Sequence, residues 1–138
     1  MQHFLPGKSC KMEKQFMKSS NYLLECCVNS AYSARMAKKG GADRLELCSN
    51  LVIGGTTPTL ALYEQIRNQT DIRIHVLIRP RFGDFLYSED ETALICKEID
   101  TFRAAGADGV VIGSLSPDGS LSVSYTHLRA HETAANLV

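Results

Sequence analysis

From position 22 onward the chain alternates between two kinds of apolar pattern. Four short, dense runs, LLECCV (23–28), RLELC (44–48), RIHVLIRP (73–80) and GVVIGSL (109–115), have the length and branched apolar content of buried strands. Between them lie longer segments with apolar positions at helical spacing and helix punctuation at their ends. NSAYSARMAKKGG offers Asn29 or Ser30 as a cap, alanines at 31, 34 and 37, and a Gly40-Gly41 stop. Thr57 and Pro58 predict the cap and first residue of a second helix through TLALYEQIRNQ. SEDETALICKEIDTFRAAG predicts a long third helix, with acids in its first turn and Arg103 in its last, matching the helix dipole.

Strand and helix in strict alternation mean parallel strands joined by helical crossovers, an α/β fold. A weak internal echo points the same way. Gly41-Ala42-Asp43 precedes the second strand and Gly106-Ala107-Asp108 the fourth, two units apart, as in a barrel of repeated units. The same tripeptide is also simply a good helix-to-strand turn. The reading is therefore a TIM-type (β/α) barrel truncated to about its first four βα units. A closed barrel of this kind has eight strands and about 250 residues. Four strands leave an open edge, for which aggregation or self-association is expected.

The flanks differ from this body. Residues 1–21 are polar, Lys-rich and without period, and are expected to form a mobile extension. Residues 22–120 form the partial barrel. Residues 121–138 are expected to be a non-native tail, because SVSYTHLRAHET (122–133) matches, residue for residue, one reading frame of a common transposon-type sequencing adapter. His127 and His131, spaced like helical metal ligands, are discounted on that ground.

Charge removes some function classes. Lys plus Arg is 15 and Asp plus Glu is 15, so no basic excess is available for nucleic acid or a membrane surface. No stretch reaches the roughly 18 apolar residues a membrane span needs. The N-terminus lacks the continuous apolar core of a signal peptide. With an odd count of five cysteines, Cys10, Cys26, Cys27, Cys48 and Cys96, the expectation is a reducing compartment and free thiols.

Side chains alternate across a strand, so the candidate chemistry sorts by face. The apolar sets must meet the helices, which turns Glu25, Cys27, Glu46, Cys48, His75 and Arg79 into the barrel. Cys27, Cys48 and Arg79 fall near the carboxyl ends of their strands, where barrel sites lie. Two inward glutamates predict pairing with Arg79 and with Arg81. Cys27 and Cys48 are expected at matching heights on adjacent strands, about 4.8 Å apart. Thiolates there would suit Cu(I), while two small residues filling a barrel end is the plainer alternative. Cys26 and Cys96 read as core, and Cys10 as a surface thiol. Gly54 and Gly55 permit close backbone approach, and Arg79, Arg81 and Asp84 place charge at the top of the third strand, a pattern suited to anion binding.

The runs ECCVNS, GGADRLELCSN, GGTTP, IRPRFGDFLYS and GADGVVIGSL, in unbroken order over about residues 23–120, resemble the CutC family of copper homeostasis proteins. The resemblance implies a TIM-type barrel, a cytoplasmic location (nuclear as well in animal members) and a homo-oligomer. It also implies Cu(I) binding by cysteines that match Cys27 and Cys48. One departure stands out: the family usually reads RPRGGDF, and Phe82 replaces the first glycine, a strained choice if that position needs positive φ. The function so implied is buffering or traffic of intracellular copper. The alternative is a barrel enzyme acting on a small anionic metabolite, with Glu25, Glu46 and His75 as acid-base candidates and Arg79 and Arg81 binding the anion.

Overall fold

The computed structural model describes residues 22–122 and 136–137. Cys10, His127 and His131 lie outside them. The elements run β1 (Glu25–Val28), α1 (Ala31–Gly40), β2 (Arg44–Leu47), a 3-10 turn (Leu51–Ile53), α2 (Leu60–Arg67), β3 (Arg73–Leu77), α3 (Glu89–Ala104), β4 (Gly109–Ile112) and a two-residue β5 (Asn136–Leu137). The strands form one parallel sheet in the order β1-β2-β3-β4-β5. Sequential parallel strands, the first three each followed by a helix, match the first part of a TIM-type barrel.

The local causes are those of the sequence, with shifted boundaries. Ser30 caps α1 and forms a capping box with Ser33. Ser88 and Glu91 do the same for α3. For α2 the cap is Thr59, whose hydroxyl accepts the Leu62 N–H, and the helix begins at Leu60. The expected Thr57–Pro58 start is therefore two residues early. Thr57 instead ties the strand above to its neighbours, as described below.

The two Gly-Ala-Asp turns are the same structure built twice. Gly41 and Gly106 both have positive φ, and each donates back to the preceding helix. Ala42 N–H reaches Ala37 O and Ala107 N–H reaches Phe102 O, both at 3.0 Å. Each Asp side chain then accepts a backbone N–H from the neighbouring strand, Leu24 to Asp43 and Ile74 to Asp108, at 2.9 Å in both cases. The turn thus fixes how each new strand docks against the one before.

The core lies between the sheet's helix-facing side and the helices. Leu45, Leu47, Ile74, Val76 and Ile78 are essentially inaccessible, packed with Ala34, Tyr63, Ile66, Ile95, Ile99 and Phe102. Tyr63 and Phe102 meet edge to face, with centroids 5.8 Å apart. Cys26 packs against this core and Cys96 is half-buried on α3. Among the described residues no helix is long and apolar enough to cross a membrane.

Candidate functional site

The opposite side of the sheet carries the polar residues in rows set by the parallel register. One row is Glu25, Arg44 and Arg73; the next is Cys27, Glu46, His75 and Gly109. Cys48 follows β2 one step further up, its N–H bonded to Val28 O. The inward set expected from alternation is thus assembled on one face. The expectation that Cys27 and Cys48 stand at one height is corrected: Cys27 is level with Glu46, and Cys48 sits two residues higher, about 6.6 Å along the strand.

The ion pairing also differs from expectation. Glu25 pairs with Arg44, its register partner, rather than with an arginine from the top. The period-two spacing of Arg44 and Glu46 already carried that signal. Among the described residues no arginine forms an ion pair with Glu46; its Oε1 lies 3.7 Å from Cys48 Sγ. Burial, and then repulsion from Glu25, pushes the Glu46 carboxyl above its usual range. Burial followed by the Glu46 charge pushes the Cys48 thiol up to about 12, and the same causes raise Cys27. Burial pushes His75 the other way, toward the neutral imidazole, with Arg44 adding to the effect. The His75 ring lies over Gly109, where a Cβ would come within 2.9 Å of Nε2.

At the carboxyl end of β3, Arg79 is only 8% exposed and its charge is met by carbonyls, not carboxylates. Nη1 donates to Gly54 O and Gly55 O, both at 3.1 Å, and Nη2 to Gly83 O at 2.6 Å. Its guanidinium stacks on Phe85, 4.6 Å from the ring centroid. Arg79 Nε and the Tyr87 hydroxyl are buried without a hydrogen-bond partner. Arg81 bonds to Asp84 and Glu91 and stacks on Tyr87, knitting the following loop to the start of α3. Arg81 holds Asp84 and Glu91 below the ordinary carboxylate range. The left-handed position in that loop falls on Gly83, φ 98°, so Phe82 sits in an unstrained backbone. Sequence reasoning overlooked Thr57 and Glu98. Thr57 Oγ1 accepts the Arg79 N–H at 2.9 Å and donates to Glu98 Oε2 at 2.8 Å.

The β2–α2 loop lies over this arrangement. Ser49 and Thr56 close its neck by two backbone bonds of 2.8 Å, and Asn50 Nδ2 donates to Thr56 Oγ1. Gly55 is pressed onto Cys48: a methyl group built on it would sit 3.8 Å from the sulfur and 2.8 Å from Leu77 Cδ2. Close approach is therefore what Gly55 provides, but to the protein's own Leu77, with the Cys48 thiol in ordinary contact beside it. Cys48 is 1% exposed, whereas Cys27 is open to solvent. Among the described residues no three of His, Cys, Asp and Glu converge to hold a metal ion. The arrangement offers two thiols on one face, a carboxylate able to accept a thiol proton, and a neutral imidazole one strand away.

Comparison with known proteins follows the same lines. The CutC family profile matches residues 22–137. A copper homeostasis protein cutC homolog of Mus musculus is 40% identical over 121 residues, covering 83% of this chain and 44% of that protein. A CutC family protein of Bacteroides fragilis is 48% identical over 104 residues, 75% of this chain and 41% of that one. A solved CutC structure from Streptococcus agalactiae superposes with a TM-score of 0.75 at 26% identity, covering 83% of this chain and 58% of that chain. The chain spans about two fifths of the length of the curated relatives it matches.

Proposed function

The chain belongs to the CutC family, and from that premise we propose that it takes part in intracellular copper homeostasis by holding Cu(I) between the thiolates of Cys27 and Cys48. The observation that carries the reading is their placement. Two cysteines on adjacent strands share the face that a barrel encloses, one step apart at the carboxyl end, beside a carboxylate. Thiolate is a soft donor and suits Cu(I) over the hard cations. A two-thiol set also fits a d10 ion that accepts low coordination, and the described residues supply no third donor of matching softness. Glu46 stands where it can take the proton that Cys48 must lose. The reading includes a cytoplasmic and nuclear location and a homo-oligomeric full-length protein, both as the family resemblance implies.

Competitive Cu(I) titration against a coloured chelator tests this. Cys27→Ser and Cys48→Ser should each weaken binding by about tenfold or more, since each removes a ligand. Because both thiols are raised, binding displaces protons, and affinity should climb steeply from pH 6 to pH 8. Unchanged affinity in both single variants would end the proposal.

A further inference from the structure

Of the two thiols proposed to hold copper, Cys48 is the less accessible, and the cause is local. Cys48 lies beneath the backbone of Gly55, whose Cβ position is in van der Waals contact with the Cys48 side chain (3.8 Å from the sulfur) and is closed to a side chain by Leu77 Cδ2 at 2.8 Å. The loop carrying Gly55 is closed at its neck by the Ser49–Thr56 bonds and the Asn50 side chain. Beyond the neck, Thr57 pins the chain to the Arg79 backbone and to Glu98, and the tip is held by one side chain: Arg79 grips the carbonyls of Gly54 and Gly55 with one terminal nitrogen and Gly83 O with the other. Arg79 therefore ties the β2–α2 loop to the β3–α3 loop across the top of the sheet. Away from that grip the loop is thinly anchored, with Val52 fully exposed and Ile53 half-exposed.

We propose that the 50–55 segment is a cover over Cys48, latched by Arg79, which must lift before a soft metal ion or another thiol-seeking ligand reaches both thiols. The metal half of this statement rests on the copper reading above; the cover itself does not. Lifting breaks hydrogen bonds between a cation and carbonyls, each worth more than a neutral bond. It also brings water to Arg79 Nε, which makes no well-formed hydrogen bond in the closed arrangement, and this offsets part of the cost. A latch so built opens locally and rarely while the sheet beneath stays folded. Arg79 is in this sense a positioning residue. It touches no ligand and acts through the loop.

The test is site-resolved alkylation of the full chain with iodoacetamide, read by peptide mass spectrometry. Cys27 reports the open face, and Cys26 and Cys96 report the integrity of the sheet and of α3. In the unaltered chain Cys48 should react far more slowly than Cys27. Arg79→Met, which keeps the length of the side chain and removes its donors, should speed Cys48 by about tenfold while Cys26 and Cys96 keep their rates. Asn50→Ala, which removes the side-chain bond to Thr56 and strains a left-handed position (φ 53°) without touching Arg79 or the core, should weaken the neck and also speed Cys48 selectively. Equal rates for Cys27 and Cys48 at the outset would overturn the cover. So would an unchanged Cys48 rate in both variants. Should Arg79→Met loosen the whole fold, visible as a common rise at Cys26 and Cys96, the Asn50→Ala chain decides, and no selective rise there overturns the proposal. A chain that binds no copper but shows the selective rise refutes the copper reading and leaves the cover standing.

Discussion

At the scale of single residues, the inward face sets out its groups by protonation cost. Glu46 is a half-buried carboxylate facing Glu25, and its pKa is raised. A raised folded-state pKa means that the native chain holds this proton more tightly than the unfolded chain does. The ionised form therefore costs stability above that pKa, and the cost is relieved as pH falls through it. Glu46→Gln mimics the neutral form. It should raise Tm at pH 7 by a few degrees. The advantage should shrink toward zero near pH 4, where the native carboxyl is itself protonated. Thermal melts of both chains at several pH values check this, and an advantage that grows on acidification would contradict it. These residues were legible as an inward set because strand alternation is rigid. Their heights were not, because register depends on how neighbouring strands dock. Thus Cys27 falls level with Glu46 rather than with Cys48.

At the scale of elements, the repeated Gly-Ala-Asp turn does the docking. The echo was visible in the sequence, but not its reach, since the bond from each Asp goes to a strand 19 or 34 residues earlier. The two copies carry different loads. Asp43 accepts one exposed N–H from Leu24, whereas Asp108 accepts Ile74 N–H and also pairs with Arg67, which in turn donates to Ile72 O. Asp108→Ala should therefore cost about 2 kcal/mol and Asp43→Ala about 1 kcal/mol, by the usual worth of bonds to charged and partly exposed groups. Urea unfolding gives both numbers. Asp108→Asn, which keeps an acceptor for Ile74, should recover part of the loss. Equal costs for the two alanine variants would mean that the Arg67 contact adds nothing. Thr57 shows the opposite kind of misreading. Ser/Thr-Pro is a fair helix-start signal, yet the hydroxyl is taken by Arg79 and Glu98, and the next threonine, Thr59, becomes the cap. Local propensity cannot rank two threonines two residues apart when a tertiary contact claims one of them.

Across the whole molecule, fold class was legible because the alternation of buried strands with amphipathic helices admits few architectures, and the parallel sheet follows from it. What the pattern could not show is which arginine meets which partner. A guanidinium finds carbonyls as readily as carboxylates, and Arg79 closes two loops instead of neutralising the glutamates below it. The resulting molecule is unevenly held. The strands β2 and β3 are paired on both sides and carry the least accessible side chains, Leu45, Leu47, Ile74 and Val76, while among the described residues β1 has a neighbour on one side alone. The β2–α2 loop, by contrast, rests on its neck and on Arg79. Stability should therefore fall outward from the middle of the sheet. Amide hydrogen exchange should be slowest for β2 and β3, faster for β1, and fastest for the 51–55 turn, whose opening also exposes Cys48. If the turn were protected as strongly as β3, the loop would be part of the rigid sheet, and the slow chemistry of Cys48 would have to be assigned to global unfolding rather than to a local latch.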